Sequence, residues 1–131
     1  MQTQFNVHVK ILMIEVLFLF APAWGLAQGV PGVTDTEVVV GISNPLSGPA
    51  ALWGATGLGA KAWADYVNDK GGVHGRKIKV ILRDDGYNPS RAMANLNEMK
   101  GKIFCSTAML GTAVLHTTKD FFPDNKIPLI A

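Results

Sequence analysis

Apolar and polar positions along this chain switch between two rhythms. "EVVVGIS" is a short β-branched run that predicts a buried strand from Val38 to Ile42. "NPLSGP" ends it with two prolines and a glycine. From Ala50 to Lys70 there is no proline. Ala55, Leu58, Ala62, Tyr66 and Val67 recur at helical spacing, and Lys61, Asp65 and Asp69 fall largely elsewhere. That pattern predicts an amphipathic helix, with Trp63 and Tyr66 expected in the core. Gly71 is placed to take the left-handed conformation that ends it.

The same alternation repeats downstream. "KIKVILRDD" predicts a second strand over Ile78 to Arg83. Asn88 is a candidate N-cap with Pro89 at the first helical position, opening a short helix through "SRAMANLNEMK". "KIFCSTAML" predicts a third strand, Thr112 to Phe122 a third helix, and Ile127 the start of a fourth strand. Strand and helix alternating in this way imply right-handed crossovers and a parallel sheet with helices on both faces. The fold class is therefore α/β, a doubly wound open parallel sheet. The sequence stops at Ala131 inside an apolar run, with no helix after the last strand. We expect the opening part of a larger α/β protein.

The first 27 residues follow another pattern. One lysine, Lys10, precedes "ILMIEVLFLF", and "APAWGLAQ" then supplies small residues. This order predicts a secretory signal peptide over residues 1–27, cut before Gln28 at Gly25 and Ala27, with Ala21 and Ala23 as a second site. The apolar run is too short to span a bilayer comfortably. Lys10 and Glu15 would leave together, so the net charge of +2 is unchanged. That charge, with no basic run, excludes nucleic acid as a partner. A single cysteine, Cys105, allows no internal disulfide and is expected as a buried thiol.

"GATGLGAK" invites a phosphate-loop reading. Gly54 and Gly59 have the Walker separation, but Ala60 intrudes before Lys61 and Ala62 replaces the magnesium-binding hydroxyl. Gly57, Gly59 and Ala62 fit the loose dinucleotide fingerprint, with Asp84 near the place of a ribose-binding acid. Gly57 nevertheless comes about fifteen residues after Ile42, whereas the first glycine should turn directly off the strand. The stretch reads better as the first turns of a helix whose glycines let it approach the sheet. No Cys/His spacing suggests a metal, and no cofactor is expected. Asp84 and Asp85 are expected to cap a loop and the next helix. His74 and His116 read as solvated surface.

"PLSGP", "WG", "VNDKGGVHGRKI", "DDGYNP" and "LGT" occur in this order from Val33 to Ala131. Together they resemble the opening of the branched-chain amino-acid type of substrate-binding protein of ABC transporters, the type I periplasmic binding proteins. The resemblance implies two α/β lobes that close on a ligand by a hinge. Residues 28–131 would be the N-terminal part of lobe one, so only the first part of that lobe is present. Strand order 2-1-3-4 would put the ligand between strands one and three, at "NPLSGPAALWG" and "AMLGT". By resemblance, Trp53 packs on the ligand's side chain. Leu110, Gly111 and Thr112 form the loop that binds an amino acid's carboxylate and amino group, and Ser47 is a further candidate. The implied role is non-enzymatic: an extracytoplasmic, periplasmic protein, monomeric when complete, binds an amino acid or related amide or carboxylate and passes it to a permease. The alternatives are a Rossmann-like nucleotide-binding enzyme and the ligand-sensing domain of a receptor or repressor. A repressor should open with a DNA-binding helix-turn-helix, and an apolar leader stands there instead.

Overall fold

A computed structural model describes residues 29–130. The expected signal peptide and its cleavage sites lie outside the described residues. Four parallel strands form one sheet in the order β2-β1-β3-β4. They are β1 (Glu37–Asn44), β2 (Lys77–Asp84), β3 (Cys105–Thr107) and β4 (Leu129–Ile130). A 3-10 turn (Ala51–Gly54) leads into α1 (Ala55–Asp69); α2 (Pro89–Met99), α3 (Thr112–Thr118) and α4 (Phe121–Asp124) follow. The expected strand order is the observed one.

Local chemistry fixes several boundaries as the sequence predicts. Gly71 and Gly72 both have positive φ, and their N–H groups donate to the carbonyls of Asn68 and Val67. That pair of bonds is the Schellman stop, available at low cost because glycine has no Cβ. Asn88 caps α2, its side chain accepting from the N–H groups of Ser90 and Arg91 with Pro89 behind it. β1 and β2 run a residue or two beyond the expected ends, β4 opens at Leu129, past Pro128, rather than at Ile127, and two spans differ more. β3 covers three residues because Ala108 turns left-handed, φ 51°, and breaks the extended run. The third helix divides into α3 and α4; Pro123 lacks an N–H, and its ring would crowd the carbonyl four residues back, at Lys119.

The register of β1 with β2 runs from Glu37 opposite Lys77 to Asn44 opposite Asp84. Both strands thus end level, and their loops leave from one edge. Side chains alternate across β1. Asn44 faces α1, where a Cβ on Gly57 would meet it at 3.1 Å. Ser43 faces α2, where its hydroxyl accepts from the Asn95 amide. The helices therefore cover both faces. The larger core lies under α2 and α4, where Leu96, Met99, Ile103, Phe121, Phe122 and Ile127 cluster. Each large side chain there contributes about 1.5–3 kcal/mol by leaving water.

The buried face of α1 is not the expected one. Gly57 and Ala64 point to the sheet. Trp63 and Tyr66 are 65% and 52% exposed, and Leu58 is 56% exposed. The two aromatic rings stack on each other 5.3 Å apart on the outer face, and Lys70 lies over Tyr66. The reason is steric: α1 sits so close to β1 and β2 that only small residues fit beneath it. His116 is exposed and His74 lies in an exposed turn at φ 49°, as expected of surface histidines.

Candidate functional site

The site begins at the carboxyl ends of β1, β2 and β3, where three loops emerge side by side. Asn44, the last residue of β1, is buried and ties two of them together. Its amide donates to the Ala108 carbonyl at 2.6 Å and to the Thr56 hydroxyl at 3.1 Å. The end of β1 is thereby joined both to α1 and to the loop after β3. This is the switch point of the sheet, since β1 has β2 on one side and β3 on the other.

Trp53 stands in the 3-10 turn of the first loop, 55% exposed. Its ring lies 6.1 Å from that of Tyr87, inclined at 57°. Tyr87 in turn covers Gly111: a Cβ at Gly111 would stand 2.6 Å from the tyrosine ring. Three loops therefore meet through one aromatic side chain. Beside it lies an open hollow of about 410 Å³, lined by Pro49, Ala50, Leu52, Trp53 and Tyr87. A second hollow, about 330 Å³, is lined by residues such as Val30, Phe104, Ile127 and Pro128 at the opposite, amino end of β3 and β4. Ligands of such sheets sit beyond the carboxyl ends, so the first hollow is the candidate.

The sequence-predicted residues fall as follows. Trp53 and Gly111 are brought together through Tyr87. Leu110 and Thr112 flank Gly111 at the start of α3. Gly111, at φ 109°, holds the cap position and Thr112 is the first helical residue. Ser47 is exposed, and its hydroxyl donates to Asp84.

Tyr87 is the residue that sequence reasoning missed. Its backbone is left-handed, φ 62°, which costs a non-glycine residue about 1 kcal/mol or more. The buried Asp85 carboxylate holds the turn by accepting from the Tyr87 N–H at 2.8 Å and from the Ser43 hydroxyl at 2.9 Å. An aromatic between glycine and asparagine just past a strand end was the available signal. Asp84 accepts from the N–H groups of Leu46, Ser47 and Gly86. The Ser47 hydroxyl, with these N–H groups adding to it, holds its carboxyl at about 2 against the opposing effect of burial. The two aspartates do bind loop backbone, as expected, but Asn88 alone caps α2.

The phosphate-loop residues do something else. Gly54 and Gly57 press on the sheet side, where a Cβ would meet the Pro45 carbonyl at 2.4 Å and the Asn44 and Leu82 side chains at 3.1 Å. Gly59 has open space around it. Lys61 pairs with Asp65 one turn on, at 2.7 Å on the outer face. No glycine of the stretch forms a strand-to-helix turn. Cys105 is buried, and burial pushes its thiol pKa up. Among the described residues, no three His, Cys, Asp or Glu side chains are placed to hold a metal ion.

Residues 37–131 match the family described as "Periplasmic binding protein". Leu/Ile/Val-binding protein homolog 1 of Brucella abortus is 40% identical over 68 residues, which are 51% of this chain and 18% of that protein. A fatty acid ABC transporter substrate-binding protein from Thermomonospora curvata superposes with a TM-score of 0.68 at 31% identity, over 74% of this chain and 25% of that one. A solute binding protein of an ABC transporter from Rhodopseudomonas palustris, solved with 3,4-dihydroxy benzoic acid, gives 0.62 at 25% identity, over 71% and 26%. The chain thus spans about a fifth to a quarter of the length of these relatives.

Proposed function

Because this chain belongs to the periplasmic binding protein family, in its type I branched-chain amino-acid class, we propose that the whole protein is the extracytoplasmic solute-binding component of an ABC importer. It binds a small amino-acid-like ligand and delivers it to a membrane permease, making and breaking no bond in it. Residues 1–27 act as its export signal, and the protein works in the periplasm as a monomer. Residues 28–131 supply the first part of lobe one.

One observation carries this reading: Trp53, Tyr87 and Gly111, from three separate loops, meet at the carboxyl edge of the sheet beside an open hollow. Aromatic rings there suit an apolar ligand body. Leu110, Gly111 and Thr112 offer backbone groups and a hydroxyl for its polar end. The ligands in the names of the three relatives are leucine, isoleucine or valine, a fatty acid, and a hydroxylated benzoic acid. All combine a carboxylate with an apolar body, which supports reading the cleft as a site for that combination.

Calorimetric titration of the full-length protein with leucine, isoleucine, valine and 3,4-dihydroxybenzoate tests this. We expect at least one to bind, and Trp53→Ala and Thr112→Ala each to weaken binding about tenfold or more. Unchanged affinity in both variants would remove the site assignment. Tight binding of NAD in place of these acids would replace the function.

A further inference from the structure

We propose that Tyr87 is a specificity-determining residue of this cleft, its ring setting how bulky an apolar body the hollow admits, and that Asp85 is the positioning residue that holds the ring there. The proposal rests on the solute-binding reading above.

Four of the residues that line the hollow, Pro49, Ala50, Leu52 and Trp53, come from the first loop. Tyr87 alone comes from another segment, the turn after β2, so it supplies the wall that the first loop does not. None of these side chains is charged. An apolar ligand body in the hollow therefore meets the half-buried Tyr87 ring as its limit. The ring has little freedom to retreat. A Cβ on Gly111 would stand 2.6, 3.0 and 3.3 Å from its Cε2, Cζ and Cδ2, so the ring already rests on the glycine backbone. The Trp53 ring stands 6.1 Å from it. Tyr87 thus lies between the aromatic proposed for the ligand's body and the loop proposed for its polar end.

The ring keeps this place because its backbone is held. Asp85 is fully buried, and its carboxylate pairs with no lysine or arginine among the described residues. Burying a carboxylate is costly unless hydrogen bonds replace its water. Oδ1 accepts from the Tyr87 N–H at 2.8 Å, and Oδ2 accepts from the Ser43 hydroxyl at 2.9 Å. The Asn95 amide of α2 in turn donates to Ser43 at 3.1 Å. The Asp85 carbonyl accepts from the Asn88 N–H at 2.9 Å and closes the turn around Tyr87. Asp85 therefore fastens the left-handed Tyr87 backbone to β1, and through Ser43 to α2. Being fully buried, it acts through Tyr87 and does not touch the ligand.

Leucine and phenylalanine, one amino-acid head with two bodies, are the probes for calorimetry on the full-length protein, read as the ratio of their affinities. Tyr87→Ala keeps the backbone cost of the left-handed turn and removes the ring. We expect it to shift the ratio toward phenylalanine about tenfold or more, the scale on which apolar pockets sort bodies by size. Where the unsubstituted protein binds leucine alone, binding of phenylalanine by Tyr87→Ala is the same result. Asp85→Ala should shift the ratio in the same direction, and Asp85→Asn, which keeps an oxygen for the Tyr87 N–H, should restore most of the original ratio. Ser43→Ala, which releases one Asp85 oxygen and leaves the aspartate in place, repeats the test of Asp85 if Asp85→Ala folds poorly. In the Tyr87→Ala background Asp85→Ala should leave the ratio within about threefold. A Tyr87→Ala ratio within about threefold of the original, both affinities falling together, overturns the assignment and leaves the solute-binding reading standing. A shift in Tyr87→Ala with none in Asp85→Ala or Ser43→Ala overturns the role of Asp85. Binding of phenylalanine but not leucine by the unsubstituted protein overturns the limit set by the ring. Binding of neither overturns the amino-acid reading of the cleft, and this assignment with it.

Discussion

Alanine replacement of the three glycines in "GATGLGAK" gives a sharp test of how α1 meets the sheet. Gly57 and Gly59 lie within α1, where alanine is better than glycine by about 1 kcal/mol, and Gly54 holds its N-cap. Propensity alone would make the two interior replacements stabilising. The surroundings separate them. A Cβ on Gly59 finds nothing within 4 Å, so Gly59→Ala should gain about 0.5–1 kcal/mol. At Gly57 the new carbon would meet Asn44 Cβ, Asn44 Cγ and Leu82 Cδ1, each at 3.1 Å. Asn44 is fully buried and held by bonds to Ala108 and Thr56, so it cannot step aside cheaply. Overpacking of this kind costs about 1–3 kcal/mol, and the net effect should be a loss of about 0–2 kcal/mol. Gly54 faces backbone: its Cβ would stand 2.4 Å from the Pro45 carbonyl oxygen and 3.1 Å from Leu46 Cα. Relief requires moving the helix or the cleft loop, so Gly54→Ala should lose at least about 2 kcal/mol net. Urea unfolding of the full-length variants, read as midpoint and slope, measures all three. The order should be Gly59→Ala above the unsubstituted protein, then Gly57→Ala, then Gly54→Ala. A stabilised Gly54→Ala, or a Gly59→Ala weaker than the parent, would refute the close approach of α1 to the sheet.

Two further outcomes can be checked with similar measurements. Asp84 has a carboxyl held at about 2, below its ordinary 3.8, so its contribution to stability is complete above about pH 5. It is lost as the pH falls through 4 toward 2, and the stability gap between the parent and Asp84→Asn should close over that window in urea melts; a gap independent of pH would contradict the clasp. Trp63→Arg should change stability by less than about 0.5 kcal/mol because the indole is exposed, whereas a core tryptophan would cost about 3–5 kcal/mol to remove.

Much of the molecule was legible in the sequence. Local chemistry determined the order of strands and helices, the glycine stop at Gly71 and Gly72, and the Asn88–Pro89 start. These depend on neighbours a few residues apart, and so they are written in the chain. The Walker and dinucleotide readings also failed in sequence, on Ala60, Ala62 and the distance of Gly57 from the first strand. The motif resemblance supplied the strand order and the loops of the cleft.

Tertiary structure decided what contact alone can decide. Hydrophobic periodicity marks an apolar stripe on α1 but does not say which side meets the sheet. Here the backbone's close approach selects Gly57 and Ala64 inward and leaves Leu58, Trp63 and Tyr66 outward. Small residues carry almost no hydrophobic signal, so the buried face was invisible. Tyr87 joins Trp53 to Gly111 only because three loops leave the sheet at one edge. Asp84 clasps Ser47 across 37 residues of sequence, through a register that β1 and β2 set together. Side chains that act across such separations gain their role from the sheet that aligns them.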